Sequence, residues 1–245
     1  MSLHMVAELR QVLRAAEDTV GTADAARVLV LRGRGGHFCA GADLKDMAAA
    51  RMRAMQAEPG APDPIAEVNA AFGELCAAYA RTPLAVVAAL EGTVMGGGMG
   101  LACVADVAIA SDTAHFRLPE TSLGVVPAQV APFLVERLGY SQAKRLAVTG
   151  GRLDAATALR LGLVHSVVPG SGLQAELDAV VSDILACAPA ALAATKALMA
   201  QARRQEPADM VAHAAAVFSQ AAQGPEGLEG MSAFIQKRKP QWALP

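Results

Sequence analysis

Two short segments place main-chain donors, rather than reactive side chains, where chemistry could occur. The segment His37-Phe38-Cys39-Ala40-Gly41-Ala42-Asp43-Leu44 sets small residues just before a helix whose first turn carries an acid. The first N–H groups of a helix lack intrahelical partners and sit at the positive end of its dipole, so they form an anion hole facing outward. A second such place is Met95-Gly96-Gly97-Gly98-Met99-Gly100, where glycines let backbone approach a ligand closely at the start of another helix. Two donors can then converge on one oxygen that gains charge. Taken alone, either segment also reads as plain turn chemistry. Phosphate cradling is the chemical rival. However, Gly96–Gly100 lacks the Lys-Ser/Thr that follows a P-loop, and Gly33, Gly35 and Gly36 do not make GxGxxG. Ser141-Gln142-Ala143-Lys144 matches the SxxK of penicillin-recognising enzymes, but it has no SDN or KTG partner and lies in an amphipathic helical stretch.

The elements around these turns alternate. An opening amphipathic helix precedes Arg27–Leu31 (RVLVL), a buried strand ended by the glycine loop Gly33–Gly36, and a helix starts near Asp43. Leu84–Leu90 (LAVVAAL) is a second buried strand, followed by the small-residue helix Gly96–Ala105 and a strand Val107–Ala110. Strand, glycine turn and helix recurring in that order predict an α/β fold with a mainly parallel sheet, whose ligands sit at the carboxyl ends of its strands. From Val130 onward helical patterns dominate, interrupted by the apolar run Leu163–Val168 and by breakers at Pro169, Pro189, Pro207 and Pro225. The alanine-rich stretch Ala186–Ala194 reads as helix packing.

Composition excludes several function classes. The 245 residues are 53% apolar, enough for a sizeable core. The 21 basic and 23 acidic residues give a net charge of −2 without clustering, so nothing resembles a nucleic-acid footprint. Cys39, Cys76, Cys103 and Cys187 stand far apart, without CxxC pairs or metal-ligand spacing, and read as buried thiols of a reducing, cytoplasmic compartment. The first residues carry Glu8, Arg10, Arg14, Glu17 and Asp18, wrong for a signal peptide. The longest stretch without Asp, Glu, Lys or Arg, Met210–Pro225, is shorter than the roughly 20 apolar residues of a membrane span.

Four segments together resemble a known family. Phe38-Cys-Ala-Gly-Ala-Asp-Leu-Lys45, Gly96-Gly-Gly98, Ala114-His-Phe-Arg-Leu-Pro-Glu120 and Glu229-Gly-Met-Ser-Ala-Phe-Ile-Gln-Lys-Arg-Lys-Pro240 look, in that order, like the signatures of the enoyl-CoA hydratase/isomerase (crotonase) family. Each is moderately specific; four in order across nearly the whole chain are mutually consistent. The resemblance implies a crotonase-like ββα spiral core over 1–170, with its N-terminal hairpin absent or shortened, and a C-terminal helical region over 171–245 that supports trimerisation and caps coenzyme A. It also implies homotrimers or hexamers, an acyl-CoA substrate, no metal, and no cofactor beyond the coenzyme A that the substrate carries.

The same resemblance implies roles for residues. The N–H groups of Ala42 and Gly97 would hold the thioester oxygen as it becomes an enolate, each donor worth about 10²–10³ in rate. Glu120 would be the acid/base, with a pKa raised beside an apolar acyl pocket. Ala40, Asp43, Leu44, Phe218 and Lys237 would contact coenzyme A, and Gly96, Gly100, Leu123 and Pro127 would line the acyl pocket. One departure matters. Two-glutamate hydratases of the family carry their second Glu three residues after the oxyanion glycine, where this chain has Gly100. Glycine there is expected to leave space for a bulkier acyl group, and Leu123–Phe133 weakly resembles hydratases of branched glutaconyl-type thioesters. Hydration of a 2-enoyl-CoA is the expected reaction. The alternatives are 3-enoyl to 2-enoyl isomerisation and, outside catalysis, a CoA-thioester-binding or RNA-binding relative with a vestigial site.

Overall fold

Apolar runs too short to bury themselves alone must be stacked, and in a computed structural model they are stacked in two small sheets. The structure describes residues 1–22, 24–58 and 60–243. Strands β1 (Val28–Arg32), β2 (Ala85–Leu90), β4 (Val107–Ser111) and β7 (Ser166–Val168) form the first sheet in the order β1-β2-β4-β7. Pairs β2–β4 and β4–β7 are parallel. Every residue of β2 is buried, which is why its sequence is continuously apolar instead of alternating. At the start of this pair Asp106 caps the ladder, its Oδ2 accepting from the N–H of Val86 at 2.8 Å.

The second sheet has the order β3-β5-β6, from β3 (Thr93–Met95), β5 (His115–Arg117) and β6 (Arg152–Asp154). Strands β3 and β5 are parallel, whereas β5 and β6 are antiparallel. The mainly parallel pairing read from the sequence is present, divided between two sheets, with β5–β6 its antiparallel exception. Three-residue strands hold too few positions to show a period of two, so they are set by their neighbours and not by their own pattern. Phe116, Leu118 and Leu153 nevertheless turn fully inward from this sheet.

Helices α1 (Leu3–Glu17), α2 (Leu44–Gln56), α3 (Pro64–Arg81), α4 (Gly97–Val104), α5 (Ala131–Val148) and α6 (Ala155–Arg160) flank the strands, followed by α7 (Leu173–Leu185), α8 (Pro189–Ala202), α9 (Pro207–Gln223) and α10 (Pro225–Ile235). Three of the four proline breakers are helix openings: Pro189, Pro207 and Pro225 each start a helix, where a missing N–H costs nothing. The alanine-rich stretch read as helix packing is helical from Pro189 onward, in α8, which packs against α9; Ala186–Ala188 lie between α7 and α8. Among the described residues no single helix is long and apolar enough to cross a membrane.

The chain divides into two compact units, one of Met1–Ala15, Val30–Ala80 and Val86–Leu177, the other of Ala16–Leu29, Arg81–Ala85 and Asp178–Pro245. Within the second, α9 packs against α8 and α10. The Glu226 carboxylate accepts from the N–H groups of Ala190 at 3.0 Å and Ala191 at 3.1 Å, satisfying the first turn of α8 with an anion. Arg27 donates to the carbonyls of Leu185, Cys187 and Trp242, which pins the end of α7 and the segment after α10 together.

Candidate active site

Three parallel segments end at the same edge of the second sheet, and each delivers one part of the site. Phe38 and Cys39 lie alongside β3: the Cys39 N–H donates to Thr93 O at 2.9 Å, and the Met95 N–H donates to Cys39 O at 2.9 Å. Strand β5 lies on the other side of β3, in register from Thr93–His115 to Met95–Arg117, and the ladder continues as Gly96 N–H donates to Arg117 O at 3.1 Å. The residues just beyond these ends are Gly41-Ala42, Gly96-Gly97 and Leu118-Pro119-Glu120. Parallel pairing in this register therefore gathers residues from three distant stretches of sequence at one place.

Glycine is required at positions 96 and 98. Gly96 has φ +52° and ψ −115°, a conformation closed to residues with a side chain, and the Glu120 Oε1 lies 3.1 Å from where a Cβ would stand. A Cβ at Gly98 would come within 2.8 Å of the Cys39 Cβ, so α4 lies on the Phe38-Cys39 segment only because that contact is backbone. Helix α4 begins at Gly97, and among the described residues the N–H groups of Ala42 and Gly97 have no acceptor in the chain. Neighbouring donors are already used: the N–H of Asp43 donates to the carbonyl of Met1 at 2.9 Å, and the Met1 ammonium donates to Gly41 O at 2.5 Å.

Glu120 opens a short 3-10 turn, Glu120–Leu123, whose backbone is held on all sides. The Ser122 hydroxyl donates to Pro119 O at 2.6 Å, the Thr121 hydroxyl to Ala147 O at 2.8 Å, and the Val125 N–H to Glu120 O at 3.0 Å. Gly124, at φ +76°, closes the turn. The carboxyl group differs from its frame. Its Oε2 is shut away from solvent and has no hydrogen-bond partner. Burial pushes the Glu120 pKa above the usual carboxylate range, opposed in smaller measure by a hydrogen bond from its own backbone N–H.

The other sequence-derived residues fall in several places. Ala40 and Leu44 are exposed beside Asp43, which caps α2 by accepting from the Lys45 N–H at 2.7 Å. Leu123 is exposed at the end of the Glu120 turn, and Pro127 leads into α5 by accepting from the N–H of Ala131 at 2.9 Å. Phe218 on α9 is 75% exposed, and Lys237 is exposed just beyond α10; both belong to the second unit. Gly100 requires a correction. It was expected to leave space, but the Phe72 ring fills that space, with Cζ 3.0 Å and the Val130 Cγ2 3.4 Å from where a Cβ at position 100 would stand. The same ring lies 3.3 Å from the corresponding point at Gly97. Phe72 on α3 went unnoticed in the sequence because no local spacing says which helix covers α4. Among the described residues no group of three or more His, Cys, Asp or Glu side chains is arranged to hold a metal ion.

With this geometry in view, the similarities to known proteins are consistent with one another. The family model for enoyl-CoA hydratase/isomerase matches residues 1–244. A probable enoyl-CoA hydratase of Mycobacterium bovis is 35% identical over 215 residues, 87% of this chain and 79% of that protein. The crystal structure of an enoyl-CoA hydratase/isomerase from Marinobacter aquaeolei superposes with a TM-score of 0.92 at 47% identity, covering 100% of this chain and 90% of that one. Pseudomonas aeruginosa AtuE gives a TM-score of 0.92 at 49% identity, covering 100% of this chain and 91% of its own. The fold is that of the crotonases, and the chain belongs to the enoyl-CoA hydratase/isomerase family, whose members act on acyl-CoA thioesters.

Proposed function

We propose that this protein hydrates a 2-enoyl-CoA, with Glu120 as its only catalytic carboxylate. The observation that carries the reading is the buried, partnerless Glu120 Oε2 at the same sheet edge as the free N–H groups of Ala42 and Gly97. A thioester carbonyl seated on those two donors is polarised toward an enolate, and preorganised donors lower the barrier because they need not reorient as charge develops. Ionised Glu120 takes a proton from water while the water oxygen bonds to C3. The electron pair of the double bond moves onto the carbonyl oxygen, and it returns when the protonated carboxyl delivers the proton to C2. Water's atoms are thus divided between C3 and C2, and Glu120 ends as it began. Burial shifts its pKa upward, toward the range in which a carboxyl group can both take and return a proton.

Isomerisation of a 3-enoyl-CoA is the second reading, favoured by one observation: the position of a second carboxylate is Gly100, covered by Phe72. One carboxyl group suffices to carry a proton between C4 and C2. Turnover of a 2-enoyl-CoA in deuterated water distinguishes the two. The expected product is a 3-hydroxyacyl-CoA with deuterium at C2; exchange or double-bond migration without a hydroxyl product overturns hydration. Ala40, Asp43, Leu44, Phe218 and Lys237 are the residues we assign to the coenzyme A moiety, and a homotrimer or a dimer of trimers is the assembly we assign to the chain.

A further inference from the structure

We propose that Phe72 is the specificity-determining residue of this site: its ring stands where a second carboxylate would project from α4 and forms the wall that limits the bulk of the acyl group. The inference rests on the acyl-CoA reading above and names the residue that selects among such substrates.

Positions 97 and 100 are three apart on one helix, so they share a face. The Phe72 ring spans that face. Its Cζ and Cε2 lie 3.3 and 3.4 Å from where a Cβ of residue 97 would stand, and its Cζ and Cε1 lie 3.0 and 3.2 Å from that of residue 100. Contacts this short leave no room for any side chain at position 100 while the ring stays in place, and Gly100 is fully buried beneath it. Phe72 itself is only half-buried, so its other side remains accessible. Because Gly97 supplies a donor for the thioester oxygen, C2 and C3 of the acyl group lie two and three bonds from an atom anchored at a residue this ring touches.

The wall is braced from behind. Asn69, one turn earlier on α3, accepts from the Gln129 carboxamide at 2.9 Å. The Gln129 side chain lies so close to Gly73 that a Cβ there would come within 2.1 Å of its Oε1, which locks α3 to the turn before α5. Val130, next in sequence, places its Cγ2 3.4 Å from where a Cβ of residue 100 would stand. With α3 held to the turn before α5 and its Phe72 ring against α4, the ring is a placed limit to acyl size.

The test measures binding of saturated acyl-CoAs, which do not turn over and so read the compartment whichever reaction it performs. Butanoyl-CoA and 3-methylbutanoyl-CoA are titrated calorimetrically into the wild-type, Phe72→Ala, Phe72→Leu and Phe72→Trp proteins. The expected result is a branched-to-straight affinity ratio that rises about tenfold in Phe72→Ala, by less in Phe72→Leu, and falls in Phe72→Trp, the scale at which apolar pockets discriminate single methyl groups. Should Phe72→Ala fail to fold, the Leu and Trp variants give the same test with opposite signs. Folded variants with an unchanged ratio overturn the proposal and leave the acyl-CoA reading standing. If neither ester binds the wild-type protein, the acyl-CoA reading itself fails, and this proposal with it. A second measurement tests the steric exclusion: Gly100→Glu should abolish binding of both esters in the Phe72 background and permit it in Phe72→Ala. Equal losses in both backgrounds would show that the ring does not occupy the ground of position 100.

Discussion

A carboxyl oxygen shut away from water without a donor makes ionisation unfavourable, and Glu120 accepts that disadvantage where nothing structural requires it. Its backbone is held by Ser122, Thr121 and Val125, while its Oε2 has no partner. Glu120→Gln keeps the shape and removes the charge, so two opposite outcomes are expected. Turnover should fall by about 10²–10⁴, because proton transfer is lost. Thermal stability at neutral pH should rise, and the sign follows from linkage. Burial raises the folded-state pKa above the unfolded value of about 4.3, so the protonated form favours folding in acid and that advantage disappears as pH rises through the folded pKa. The stabilisation by Gln should therefore be absent below about pH 4 and grow toward neutrality. For the same reason the acid limb of kcat/KM should centre above about 4.3; a limb at or below that value would disprove the role of a buried base. Gly96 is tested differently. Gly96→Ala forces a side chain into φ +52° and against the carboxylate, so it should lose about 1–3 kcal/mol of stability together with activity, read by denaturant melts and turnover.

At the scale of elements, the site depends on α4, a helix of eight residues held at both ends. Its N-terminus is fixed by glycine contacts and its C-terminus by Arg137 of α5, whose guanidinium donates to the carbonyls of Ala102 at 3.4 Å, Cys103 at 2.9 Å and Ala105. Without that cation three carbonyls lose a donor, so Arg137→Met should cost about 1–3 kcal/mol, measured by denaturant unfolding. Thiol chemistry reports on the same helix. Burial pushes the thiols of Cys76 and Cys103 up to about 12, whereas Cys187, expected from the sequence to be buried, is exposed. An aromatic disulfide reagent should therefore label native Cys187 quickly and Cys76 and Cys103 only on unfolding, with Cys103 becoming labelled early in Arg137→Met. Unchanged protection there would separate Arg137 from the stability of α4. The elements show how much was legible beforehand. Runs such as Ala85–Leu90 announce themselves because a doubly covered strand must be apolar throughout, Asp43 marks a helix start by capping, and the glycines Gly96–Gly98 mark another by their turn. The strands β3, β5 and β6 were not legible at three residues each, although they align the whole site. Nor was Phe72, since its partner is chosen by tertiary packing and nothing within its own helix names α4.

At the scale of the molecule, the second unit carries several large apolar side chains on its surface. Phe218, Leu228, Met231, Phe234 and Ile235 are all exposed on α9 and α10, Phe234 at 86%. Such a surface fits the assembly assigned above. Phe234→Asp should lower the mass found by sedimentation to that of a single chain while leaving helical content intact; an unchanged mass would place the subunit contact elsewhere. The end of α10 supports a separate argument. Arg238 N–H donates to Ala233 O at 3.0 Å and Lys237 N–H to Phe234 O at 3.2 Å, the paired bonds that close a helix through a left-handed residue. Glycine is preferred at that position, yet Lys237 occupies it at φ +55°, the only residue other than glycine with positive φ among those described. A lysine at a position that favours glycine agrees with the coenzyme A contact assigned to its ammonium. Lys237→Gly removes the strain and the charge together. Its expected signature is a gain of about 0.5–1 kcal/mol in stability, accompanied by a higher KM for CoA esters and an unchanged KM for pantetheine esters. Lys237→Ala should show the same KM shift without the gain in stability, because alanine does not favour the left-handed region. If KM for the CoA ester stays at the wild-type value in both variants, the ammonium does not contact the coenzyme A head, and Lys237 serves only to terminate the helix.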